Sequence, residues 1–214
     1  MKKVIALFML FFFIFSAFFV FPLYASAYNG SSAANYAQEW AYSRNPYYLN
    51  CDIEAGGGGD CTNFVSQCVR AGGIAYMWYG DRNSYLPWWF TNVLGAKTAS
   101  KSFINAATFI QHFSFVRNSF VRHVDWLNYG SEFPENLSSV YIGDVMQIAR
   151  SISYPPTYEQ VFHSRIVVGF SGSVPYCAQH TADSSWVRWD LTTSGYSIGK
   201  LGKYVRLFYY TPNN

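Results

Sequence analysis

Nine residues constrain this chain more than any other stretch: Asp60-Cys61-Thr62-Asn63-Phe64-Val65-Ser66-Gln67-Cys68. Phe64, Val65, Cys68 and Val69 recur at three- and four-residue spacing, which predicts a helix with one buried face. Asp60 suits the N-cap, where a carboxylate accepts from the unpaired N–H groups of the first turn. Gly72-Gly73 supplies the stop. The helix therefore begins with a cysteine. A thiol there feels the positive end of the helix dipole, which favours the thiolate. Gly56 to Gly59, just upstream, let another backbone come close. Such a cysteine is either a small buried hydrophobe or a nucleophile, and the second role requires a base elsewhere in the chain.

The N-terminus reads as an export signal. Met1-Lys2-Lys3 is basic, Val4 to Phe21 is apolar, and Ala25-Ser26-Ala27 offers a cleavage site after Ala27. The apolar run is long enough to span a membrane, so an uncleaved anchor with the domain facing outside is the alternative to a secreted or cell-wall-associated protein. Residues 28–214 have the size of one domain, with an aromatic-rich and helical insertion over 74–140. The net charge of +3 includes Lys2 and Lys3, which leave with the signal. Arg117, Arg122 and His123 read as a solvated helix face. No concentrated basic surface remains for nucleic acid, and the membrane is expected as a partner only through the N-terminal segment. Cys61 and Cys68 lie two helical turns apart, too far to bridge. If Cys61 is free, Cys51, Cys68 and Cys177 allow at most one disulfide. No zinc spacing occurs, and neither metal nor cofactor is expected.

Ser31 to Ser43 predicts a helix capped by Ser31 or Ser32 and ended by Asn45-Pro46. From Ile74 to Val93 rings crowd a loop-like stretch: Tyr76, Trp78, Tyr79, Tyr85, Trp88, Trp89 and Phe90. They read either as edge packing or as a cleft rim that stacks on sugar or peptide, with Trp78, Trp88 and Trp89 as the substrate-binding candidates. Ser102 to Tyr129 looks helical in pieces, and His112 and His123 there read as filler. Glu132 to Ser139 is a polar linker. Strands follow at 143–148, 162–170, 174–181 and 204–210, the last alternating through Val205, Leu207 and Tyr209. Helices first and antiparallel strands last is an α+β layout.

His163 opens the Ile166-Val167-Val168 strand and His180 ends the next. A turn centred on Ser171-Gly172 pairs positions summing to 343, which sets His163 opposite His180. A turn on Gly172-Ser173 pairs His163 with Ala182 and keeps both histidines on one face. His163, packed on the start of the Cys61 helix, is then the general base. His180, or failing it Asp183, is the third polar group.

At these residues the sequence resembles a known family. Asn45-Pro46-Tyr47-Tyr48, the Asp60–Cys68 string, Ala71-Gly72-Gly73, Trp89-Phe90-Thr91-Asn92-Val93, Gly143-Asp144-Val145, His163-Ser164-Arg165-Ile166-Val167-Val168-Gly169 and Gln179-His180-Thr181 occur in the order of the putative amidase domain family of bacteria. That family is similar to papain-like cell-wall amidohydrolases and peptidases, and the likeness covers nearly all of residues 28–214. It implies a papain-like fold, with the cysteine helix packed on a sheet that carries the histidine. It also implies Cys61 as nucleophile, His163 as base, His180 as third residue, and Asp60 and Tyr48 as support for the site and its oxyanion. Papain's oxyanion glutamine has no counterpart, because Ala55 stands there. Arg165 is bulkier and more charged than the pattern leads one to expect. The implied activity is hydrolysis of a cell-wall peptide or glycopeptide amide. The competing readings are a wall- or glycan-binding module with an idle thiol and a transglutaminase-like acyl transferase.

Overall fold

The computed structural model describes residues 27–54, 59–126, 137, 139–151, 153, 155–189 and 204–214. The expected signal segment, most of the glycine loop and most of the polar linker lie outside them. Among the described residues no helix is long and apolar enough to cross a membrane.

Two helices, α1 (Gly30–Trp40) and α2 (Cys61–Ala71), come first. α1 is capped by Asn29 rather than by Ser31 or Ser32; its side chain accepts from the Ser32 N–H. α2 has the predicted bounds, and its residues Cys61 to Val69 are all buried. A hairpin follows, β1 (Phe90–Val93), inside the stretch expected to be a loop, with β2 (Ala96–Ala99) just beyond it. Then come two short helices, α3 (Lys101–Ile104) and α4 (Ala106–Gln111), and a wide π turn at His112–Val116.

The helical reading of Ser102 to Tyr129 fails beyond that turn. Asn105 is extended and caps α4 through the Thr108 N–H. Asn118 takes a left-handed φ of 53°. The chain then enters β3 (Arg122–Trp126), which pairs with β8 (Tyr204–Tyr210).

The large sheet is antiparallel, in the order β3-β8-β4-β5-β6-β7, with β4 at Val145–Ser151, β5 at Val161–Ser171, β6 at Val174–Gln179 and β7 at Ser184–Arg188. One face packs on α1 and α2: Ile166, Val168, Ala178, Phe208 and Tyr210 meet Ala33, Ala37, Phe64, Val65 and Cys68. The other face buries Met146, Ile148, Val167, Cys177 and Leu207 with Trp189, Leu137 and Val140. Being covered on both sides, β5 is buried almost without interruption from Val161 to Gly169, the polar His163, Ser164 and Arg165 included, instead of alternating. The architecture is α+β. All four cysteines are free and buried, so the one disulfide that the sequence allows is not formed.

Candidate active site

Cys61 sits at the first position of α2, where the amides of the opening turn have no intrahelical acceptor. The helix start is pinned to β5 by Thr62 and Ser164, whose hydroxyls are 2.9 Å apart. The Cys61 sulfur lies 3.8 Å from the Thr62 hydroxyl and is 8% exposed. Burial pushes its thiol up; the Ser164 backbone and the Thr62 hydroxyl and amide pull the other way and do not offset it. Desolvation, and not the hydrogen bonds at the helix start, sets the direction for this thiol.

Asp60 is fully buried and does not cap α2 with its side chain. Its carboxylate faces backward. Oδ1 accepts from the Cys51 N–H at 2.9 Å and from Asn63 Nδ2 at 2.7 Å. Oδ2 lies 2.6 Å from His180 Nδ1 and 3.4 Å from Arg44 Nε. A buried carboxylate is tolerable when donors surround it, and these donors outcompete the first-turn amides for it.

The hairpin register decides which residues meet. The turn centres on Gly172-Ser173, with Ser171 opposite Val174, Phe170 opposite Pro175 and Gly169 opposite Tyr176. A bulge at Val168 then shifts the ladder by one, so Val167 faces Cys177 and Ile166 faces Ala178. The turn placement on Gly172-Ser173 holds, but past the bulge neither pairing expected for His163 survives, and an odd shift separates residues that an even one keeps together. His163 pairs with Ile148 across β4 and shares the outer face with Val167 and Cys177. His180 falls on the inner face with Ala178, where its ring stacks on Phe64 at 3.9 Å. The two histidines are thus on opposite sides of the sheet. Cys61 is on the inner side, and no hydrogen bond joins it to His163 among the described residues.

Each histidine has its own polar partner. His180 is clamped from both ends: Nδ1 by Asp60, Nε2 by the Trp40 carbonyl oxygen at 2.8 Å. Both ring nitrogens point at acceptors. His163 Nε2 is 3.1 Å from Gln179 Oε1, and Gln179 donates its Nε2 to the Ala182 carbonyl. That second bond orients the amide so that its oxygen faces the ring, which places the His163 proton on Nε2 and makes Nδ1 the acceptor nitrogen. Burial, then the nearby Arg165, push His163 down to about 3, so it is neutral near pH 7.

Gln179 is the His163 partner that the sequence reading missed. It lies inside the quoted Gln179-His180-Thr181 motif, and a register shifted by one residue brings it to the face of His163. Asp183, the alternative third residue, instead pairs with Arg44 at 2.8 Å; burial raises its carboxyl, but Arg44 outweighs this and holds it below the usual range.

Tyr48 packs among Phe90 at 4.7 Å and Phe103 at 6.1 Å, and burial raises its phenol, with Tyr76 as the next contributor. Of the three tryptophans, Trp88 is fully buried and donates Nε1 to the Ser66 hydroxyl on α2 at 3.2 Å. It is a core anchor and is not positioned to touch a substrate. Trp78 is exposed, Trp89 half-buried, and their rings stack. No group of three or more acidic, histidine or cysteine side chains forms a metal site among the described residues.

The model of the putative amidase domain matches residues 27–201. The chain belongs to that family. This family describes hydrolysis of amides in general terms. A Bacillus subtilis (strain 168) protein, "Uncharacterized protein YhbB", is 37% identical over 65 residues, which are 30% of this chain and 18% of that one. The chain thus spans under a fifth of that relative. No solved structure matches this family member.

Proposed function

We propose that the chain is an exported cysteine amidohydrolase in which Cys61 attacks an amide carbonyl. The supporting observation is the pinning of the α2 start to β5 at Ser164, beside a histidine whose tautomer is fixed by Gln179. Cys61 supplies the nucleophile, and the amides of the first turn of α2 are the donors available to a developing oxyanion. Of the two histidines, His163 has an acceptor nitrogen, whereas both nitrogens of His180 are directed at acceptors. His163 is therefore the base in this reading, Gln179 orients it, and His180 clamps Asp60 and the helix start.

The reading requires the His163 ring to come round to the Cys61 side. The means is local. β4 and β5 slip register between Ile148 and Ala149, with Phe162 as the extra residue. Phe162 packs on the outer face beside His163. Bulges re-aim side chains, and moving this one on by a single residue turns His163 to the inner face while Phe162 keeps its place. A papain-like fold is the corresponding fold reading. Export and the Ala-Ser-Ala site favour a substrate outside the cell, and a peptidoglycan amide is the proposed class.

The test is hydrolysis of purified peptidoglycan, followed by mass spectrometry of the released fragments. Cys61→Ala and His163→Ala abolish release in this reading, while Gln179→Ala lowers it and leaves binding intact. Full release by Cys61→Ala sinks the reading. Conjugates formed with an added amine, in place of hydrolysis, would make the enzyme an acyl transferase.

A further inference from the structure

Trp78 and Trp89 form a rigid aromatic plate on the surface. Their ring centroids are 5.4 Å apart and their planes 17° from parallel. Trp78 is 57% exposed, and the neighbouring Tyr79 is 80% exposed. Stacking covers one face of Trp78, so that exposure lies on the other. Exposed aromatic area of this kind on a globular body marks a contact surface.

The plate is held from behind. Met77 and Trp88 exchange two backbone bonds, at 2.9 and 2.8 Å. The Trp89 N–H donates to the Ser100 hydroxyl, and the Ser100 N–H returns to the Trp89 carbonyl, both at 3.0 Å. Trp88, between the plate residues and the interior, reaches Ser66 on the nucleophile helix, and Ser66 is itself bonded to the Phe103 carbonyl. A surface fixed in advance loses little side-chain freedom when it binds. It is also tied to the same helix that presents Cys61.

We propose that Trp78, backed by Trp89, is a sugar-stacking subsite that takes the glycan to which the scissile amide is attached. The inference deepens the amidohydrolase reading and rests on it for the role of the site. The chemistry favours a pyranose. One face of such a ring is a flat array of C–H groups, which match the electron-rich face of an indole. Its hydroxyls need polar neighbours, and the turn Asp81-Arg82-Asn83, which follows Tyr79-Gly80 in the chain, is exposed. An apolar peptide side chain is instead better served by a concave pocket than by a single open ring face.

The experiment uses the Cys61→Ser chain, so that no turnover intervenes. Calorimetric titration with a soluble β-1,4-linked N-acetylglucosamine pentamer gives saturable binding. Trp78→Ala weakens it roughly tenfold, and Trp78→Phe recovers most of the loss. Trp186→Ala, an exposed tryptophan on β7, leaves it unchanged. Absence of pentamer binding, equal binding by Trp78→Ala, or binding of an uncharged pentapeptide in place of the sugar overturns the inference. Because binding is read without hydrolysis, sugar binding combined with no Cys61-dependent cleavage sinks the amidase reading and leaves the subsite standing.

Discussion

Asp60 Oδ2 lies 2.6 Å from Nδ1 of His180, and both residues are at most 1% exposed. The contact joins the end of β6 to the residue before the nucleophile candidate, and the bond from His180 to the Trp40 carbonyl extends it to the end of α1. Removing one partner strands the other in the interior. His180→Ala and Asp60→Asn should each cost about 3–5 kcal/mol, as for other broken buried pairs. Urea unfolding measures this, and a loss below about 1 kcal/mol would show the clamp to be dispensable.

Acid should destabilise the fold through its buried histidines. Burial holds His163 down to about 3 and His112 down to about 4. A histidine depressed in the folded state leaves the unfolded chain with more bound protons once pH falls below about 6.5. Stability from these two groups is therefore fully present above that pH and declines as pH falls towards 4 and 3. Each contributes a slope of about 1.4 kcal/mol per pH unit within its window. Urea unfolding between pH 7 and 5 should show a decline that becomes shallower in His163→Gln. An unchanged slope in that variant would exclude a neutral, buried His163.

The register of β5 and β6 explains how much of the site was legible. β8 (Tyr204–Tyr210) and α2 (Cys61–Ala71) have the bounds expected of them, because alternation and helical spacing are strong there. The β5–β6 bulge was not visible. Both faces of β5 are buried, so no alternation fixes the register, and the only local sign is Gly169 beside it. That single-residue shift put Gln179, and not His180, on the face of His163. The β1–β2 hairpin was hidden for another reason: its turn is Leu94-Gly95, with both residues at positive φ, and leucine is an unusual occupant there. Asp60 was correctly located before the helix, but its partners came from residues 51 and 180, which no local pattern couples to it.

The Cys61 thiol provides a direct chemical check. Because burial raises it, alkylation by iodoacetamide should be slow at neutral pH and should accelerate only above the ordinary thiol range. Mass spectrometry of the labelled protein separates Cys61 from Cys51, Cys68 and Cys177. Rapid labelling of Cys61 in mildly acidic solution would mean that a partner charge reaches the thiol in solution, as the proposed re-aiming of His163 provides. Loss of that rapid phase in His163→Ala would then identify the partner.

Two glycines separate backbone strain from close packing. Gly95 has φ +86° and open space where a Cβ would stand. Gly143 has φ +89°, but a Cβ there would come within 2.2 Å of the Gly30 Cα. The second contact lies where the start of α1 crosses the turn leading into β4, next to the bond from the Tyr28 hydroxyl to the Gly143 carbonyl. Gly95→Ala should therefore cost only the conformational term, on the order of 1 kcal/mol. Gly143→Ala adds the separation of two packed backbones and should cost at least about 2 kcal/mol more. Since α1 and α2 share the inner face of the sheet, that separation should also loosen the Cys61 site. The check is thermal unfolding of the two variants side by side, and equal melting temperatures would exclude the close contact between Gly30 and Gly143.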